Sequence, residues 1–207
     1  MALRATQTSY AVLGLLALRS WTGYELAQQA SRSLGWFFPR AERAVYLEVK
    51  RLVQMGWAAA EQSTTGRRPS TTYRVTTSGR RALADWLQQP SPPTQIESEA
   101  AMKVFFADQE TLDATRATVD GIRHEAAQAI QHLSTMTEET LNNRAPFPDR
   151  VPTNILSMKL VTDVHHALLH WATWAEKALV VLETGDTAAI NAQATKTLNT
   201  ITNRSRW

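Results

Sequence analysis

The sequence predicts a mainly α-helical fold with a small β hairpin, a winged helix-turn-helix ahead of a longer helical domain. Three observations predict it. Residues 40–80 run as a basic helix (R-A-E-R-A-V-Y-L-E-V-K-R-L-V-Q-M-G-W), two short strands around T-T-G-R-R-P-S, and the start of another helix. Charge is divided along the chain. Residues 1–90 hold twelve Lys and Arg against five Asp and Glu, net +7, while the remainder holds ten against fourteen, net −4. Beyond residue 94, apolar positions recur at helical and heptad spacing.

The elements follow in order. Residues 6–19 are mostly apolar, as expected of a buried first helix, and Ser20-Trp21-Thr22-Gly23 breaks it. A second helix carries Leu26, Ala27, Ala30 and Leu34 at three- and four-residue steps and stops at Phe37-Phe38-Pro39. The third, about 40–55, has two faces. Val45, Val49 and Leu52 point inward, and Arg40, Arg43, Leu47, Lys50 and Gln54 form the opposite stripe. Gly56 ends it. Trp57–Gln62 reads as a strand, 64–70 as a turn, and 71–76 as the returning strand. Thr77 or Ser78 can cap a fourth helix that buries Leu83, Trp86 and Leu87.

Gln89-Pro90-Ser91-Pro92-Pro93 is the clearest linker, because proline blocks helix continuation and stiffens the chain. It divides the sequence into a basic winged-helix region, 1–89, and a helical region, 94–207. In the second region a short helix (about 96–107) precedes a long one (about 110–142). That helix has a seam at 112, 119, 126, 133, 140 and at 115, 122, 129, 136. A proline-rich loop leads to another long helix (about 153–183), which Gly185 ends, and an Ala/Thr-rich helix runs from Thr187 to about Thr202.

Composition narrows the function. The absence of cysteine excludes disulfides, thiol nucleophiles and cysteine-ligated zinc. No window approaches the ~18 apolar residues of a membrane span, so a cytoplasmic protein without membrane contact is expected. Phosphate-binding loops, dinucleotide fingerprints and hydrolase motifs are missing, and neither catalysis nor a cofactor is expected.

What the basic half can do is bind a duplex. Arg40, Arg43 and Lys50 offer guanidinium groups for guanine edges and an ammonium group for phosphates, although the same stripe could be a solvated helix face. Arg67, Arg68, Ser70 and Thr72 at the hairpin suit phosphate or minor-groove contacts. Tyr24 and Tyr46 can place hydroxyls at phosphates with their rings on the core.

In the acidic half, Asp163, His166 and His170 have one-face spacing that could hold a divalent metal. His166, His170, Trp171 and Trp174 could equally wall a pocket for a small aromatic acid, or simply face solvent and neighbouring helices. The ligand pocket is the expectation carried forward, with no metal.

The N-terminal residues resemble the PadR family of bacterial transcription regulators. The resemblance rests on Tyr10-Ala11-Val12-Leu13-Gly14-Leu15-Leu16, Gly23-Tyr24-Glu25-Leu26, Val45-Tyr46 with Arg51-Leu52 and Gly56, Gly66-Arg67-Arg68-Pro69, Tyr73-Arg74-Val75-Thr76, and Gly79 through Leu87. Met102-Lys103-Val104-Phe105-Phe106 looks like the motif opening the C-terminal domain of longer members. The resemblance implies a homodimeric winged-helix regulator of double-stranded DNA whose antiparallel C-terminal helices pair two chains and, in some members, answer a small molecule. The heptad seam could pack within one chain or pair two, and the resemblance favours the second. The expectation for this chain is a repressor released by a small aromatic effector. Three positions depart from the pattern. Arg43 replaces a small polar residue, Leu47 a proline, and Phe38 a frequent tryptophan. The first two lie on the expected groove face, so the family's operator preferences do not transfer. The other reading is a winged helix that docks proteins and has no operator of its own.

Overall fold

The computed structural model describes residues 4–65, 68–109 and 111–204, and the chain divides into two compact units, Met1–Thr94 and Gln95–Trp207. The first opens with α1 (Gln7–Leu18). Thr6 caps it reciprocally with Ser9, and it buries Ser9, Val12, Leu13, Leu15 and Leu16. The chain then extends into β1 (Trp21–Thr22), where the Trp21 indole N–H donates to the Leu15 carbonyl at 2.8 Å. α2 (Gly23–Leu34) starts on a Thr22/Glu25 capping box and buries Leu26 and Ala27.

α3 spans Glu42–Gln54 and packs Val45, Val49 and Leu52 against α1 and α2. It ends at Gly56, whose φ of +73° is a conformation that side chains disfavour. There the Gly56 and Trp57 amides donate to the Val53 and Leu52 carbonyls. β2 (Ala58–Thr65) and β3 (Arg68–Val75) form the antiparallel hairpin, in register from Ala58↔Val75 to Thr65↔Arg68. β1 adds to the other edge of β3 in the order β1-β3-β2. It pairs only at Tyr73 and Thr72, so β3 is open on that side at Pro69, where a missing N–H is tolerated. α4 (Thr77–Leu87) completes the unit, and the Thr76 and Ser78 hydroxyls donate to the Gly56 carbonyl at 2.7 and 2.8 Å.

Three expectations change here. The strands run farther into the expected turn than 57–62 and 71–76, and Trp21–Thr22 joins the sheet. Arg40 precedes α3, whose N-cap is Ala41 without a side-chain cap. Trp86 and Leu87 are exposed rather than buried. Trp86 stacks on Tyr10 at 4.8 Å, so its ring covers a neighbour without entering the core.

The second unit comprises α5 (Glu99–Phe105), α6 (Leu112–Leu141), α7 (Val151–Glu183) and α8 (Thr187–Arg204). α6 and α7 pack antiparallel. Arg116 near the start of α6 pairs with Glu183 at the end of α7, and Arg123 reaches Glu176 at 3.1 Å. The heptad seam is the buried face of α6: Thr115, Val119, Ala126, Ala129 and Leu133. It is filled by the same chain's α7, which contributes Val161, Ala172, Ala175 and Leu179. This corrects the assignment of the seam to pairing between two chains. Its small members are what allow two long helices to approach closely.

Candidate nucleic-acid interface

The outer face of α3 presents Arg43, Leu47, Lys50 and Gln54, all exposed. Arg43 and Lys50 have no carboxylate partner among the described residues, so both cations remain available to an anion. The acids of the same helix explain why. Glu42 lies in the first turn, where the helix dipole favours it. Glu48 points inward. Only 6% exposed, it accepts the buried Ser9 hydroxyl at 2.5 Å and the Arg51 guanidinium at 2.8 Å. Arg51 also donates to the Arg4 carbonyl at 2.8 Å. Neutralisation of α3 thus takes place on its inner side, with a Ser9 pairing that local sequence pattern does not display.

Arg40 is placed differently from expectation. Its guanidinium lies 4.0 Å over the Phe38 ring and donates to the Pro39 carbonyl at 2.8 Å, so it belongs to the α2–α3 connection rather than the α3 stripe. Tyr46 is half-buried, its ring against the backbone of Gly23. A Cβ at Gly23 would come within 2.9 Å of that ring, so glycine is needed where α2 begins. Tyr24, one residue on, is 61% exposed, and its hydroxyl accepts from Gln28 at 2.7 Å.

On the wing, strand alternation sets Tyr73 and Val75 inward and puts Ser70, Thr72 and Arg74 on the other face. Ser70 and Thr72 are half-buried and Arg74 is exposed. Arg74 was not among the expected contacts, although its place between two apolar strand residues would have found it. Arg68 opens β3, and Arg67 lies outside the described residues.

The second candidate site lies on α7. His166 and His170 are exposed on its polar side, and Asp163 there is held by Lys159 at 2.6 and 2.7 Å. No group of His, Asp or Glu is placed to hold a metal ion among the described residues. Trp174 is 42% exposed, whereas Trp171 turns inward onto Val119, Ala172, Ala175 and Leu179. The four residues therefore divide between two sides of one helix. Adjacent to the polar side, Leu156, Leu160, Val164, Trp174 and Leu182 form an exposed apolar stripe. Among the described residues, no helix is long and apolar enough to cross a membrane.

A three-helix core with an antiparallel hairpin and a fourth helix defines a winged helix-turn-helix. Residues 12–85 match the model of the Transcriptional regulator PadR-like family. The "Negative transcriptional regulator PadR" of Bacillus subtilis is 32% identical over 100 residues, 47% of this chain and 54% of that protein. The match thus spans about half the length of that relative. The crystal structure of Bacillus subtilis PadR in complex with operator DNA superposes with a TM-score of 0.70 at 20% identity, covering 83% of this chain and 98% of that one. The same protein in complex with p-coumaric acid gives 0.63 at 20% identity, covering 87% and 99%. At such identity these two likenesses establish the fold.

Proposed function

We propose that the protein is a DNA-binding transcriptional repressor that acts as a homodimer on a pseudo-palindromic operator and is released by a small aromatic ligand. The observation that carries this reading is the outer face of α3, where Arg43 and Lys50 stand exposed without carboxylate partners among the described residues. Two such helices related by a two-fold axis would enter successive major grooves about 34 Å apart. Arg74, Ser70 and Thr72 on the wing, with Arg67 and Arg68 near its tip, would hold the flanking backbone, and the Tyr24 hydroxyl a phosphate beside α2.

Pairing is supported by the apolar stripe of α7. An exposed band running from Leu156 to Leu182 is unusual on a monomer and suits burial against a second copy. Repression and release rest on the names of the Bacillus subtilis protein and of its p-coumaric acid complex. In this chain Trp174 and His170, one helical turn apart where stripe and polar face meet, would give a phenolic acid a ring surface and a hydrogen-bond donor. A ligand favouring the unfit spacing of the reading heads by a few kcal/mol would empty the operator.

Gel shifts on the duplex upstream of its gene, at several salt concentrations, test the reading. Affinity should fall steeply as salt rises, and Arg43→Ala with Lys50→Ala should weaken it. Binding indifferent to salt and to both substitutions would contradict it.

A further inference from the structure

The outer face of α3 holds an apolar side chain between its two free cations. Leu47 is 53% exposed, whereas Val45, Val49 and Leu52 of the same helix are buried in the core. Its outer half does nothing for the fold, and it sits one turn from Arg43 and one from Lys50. We infer that Leu47 reads the C5-methyl group of a pyrimidine in the major groove, an inference that rests on the proposed role of α3 as the groove helix.

The argument is one of chemical matching. An isobutyl group can neither donate nor accept a hydrogen bond. Pressed onto guanine O6 and N7 or cytosine N4, it would strip water from polar atoms and replace it with nothing. Among the four bases only thymine shows a methyl group in that groove, and 5-methylcytosine shows the same group. Spacing fits as well. At about 1.5 Å of rise per residue, Leu47 lies about 6 Å from Arg43 and about 4.5 Å from Lys50 along the axis. One base step is about 3.4 Å, which sets the methyl group one to two pairs from the base beneath Arg43. The longer stems of Arg43 and Lys50 can reach past it to a guanine edge and a phosphate without lifting the helix away.

The test uses the full-length protein and a duplex enriched from a random pool. Each thymine of a half-site is replaced in turn by deoxyuridine, which removes only the methyl group. In a second arm, each cytosine is replaced by 5-methylcytosine. One position per half-site should respond, with binding about fourfold weaker on losing the group or stronger on gaining it, the worth of one buried methyl. The arm that responds distinguishes thymine from the modified base. Leu47→Ala should abolish the response while leaving the salt dependence intact. No responding position, or a response that survives in Leu47→Ala, overturns the inference with the DNA reading standing. A pool that yields no enriched sequence removes the DNA reading and this inference together.

Discussion

Replacing Glu48 with Ala should destabilise the N-terminal unit by about 3 kcal/mol, even though the residue is a charged side chain on a surface helix. The magnitude follows from what it touches. The Ser9 hydroxyl, fully buried, loses the acceptor at 2.5 Å and keeps only the longer contact with the Thr6 hydroxyl at 3.2 Å. Such a loss reaches about 1–3 kcal/mol where a buried donor is left poorly satisfied. Removing the buried carboxylate and its methylene also leaves a void worth about 1 kcal/mol. Arg51 loses its partner, but its side chain is 31% exposed and water replaces much of the pair. Glu48→Gln, which keeps an acceptor for Ser9, should cost about half as much. Urea unfolding followed by circular dichroism and tryptophan fluorescence measures both, and the midpoint should move without a change in slope. If Glu48→Ala stays within about 0.5 kcal/mol of the parent, as surface substitutions do, the buried network is not holding α3 to α1.

Other consequences can be measured in the same way. A Cβ at Gly79 would meet the Trp57 carbonyl oxygen at 2.1 Å, so Gly79→Ala should destabilise by about 2 kcal/mol or more in thermal melts. Gly121→Ala, with nothing within 4 Å in mid-helix, should instead stabilise by up to about 1 kcal/mol. The backbone amide of Thr22 above all, then its hydroxyl and the nearby Arg19, hold the Glu25 carboxyl below the ordinary glutamate value. A depressed folded pKa adds stability that is present above the unfolded value and lost as pH falls through the folded one. The advantage of the parent over Glu25→Gln should therefore be full above the ordinary glutamate value and shrink progressively as pH falls below it, as unfolding curves at stepped pH would show. In binding titrations, Lys50→Ala should weaken all duplexes about equally and lower the salt slope by about 1.

Much of the winged helix was legible because its elements are amphipathic at the right periods. Val45, Val49 and Leu52 mark one face of α3, Gly56 its end, and Tyr73 and Val75 the inner face of the hairpin. The α6 seam was equally visible, since Val119, Ala126 and Leu133 recur at heptad steps. What periodicity does not carry is which partner fills a face. The seam meets α7 of its own chain, and the stripe left over is on α7, where Leu156, Leu160 and Val164 lie among apolar residues on several sides. Charge was misleading in two places for different reasons. Glu48 is buried because Ser9 and Arg51 satisfy it, a match between residues 39 apart that no local pattern displays. Arg40 falls outside α3 because the helix begins at Glu42, and helix starts without a side-chain cap leave little trace in sequence. The histidines of α7 have one-face spacing with Asp163, but Lys159, four residues before it, already holds that carboxylate.

The reading of α3 as a groove helix is tested most directly by a DNase footprint of the purified protein on the duplex upstream of its own gene. Two protected segments centred about one helical turn apart, on related half-sites and lost when Arg43 and Lys50 are both replaced by Ala, are the predicted result. Uniform cleavage at every protein concentration, or protection that persists unchanged in the double variant, would contradict it.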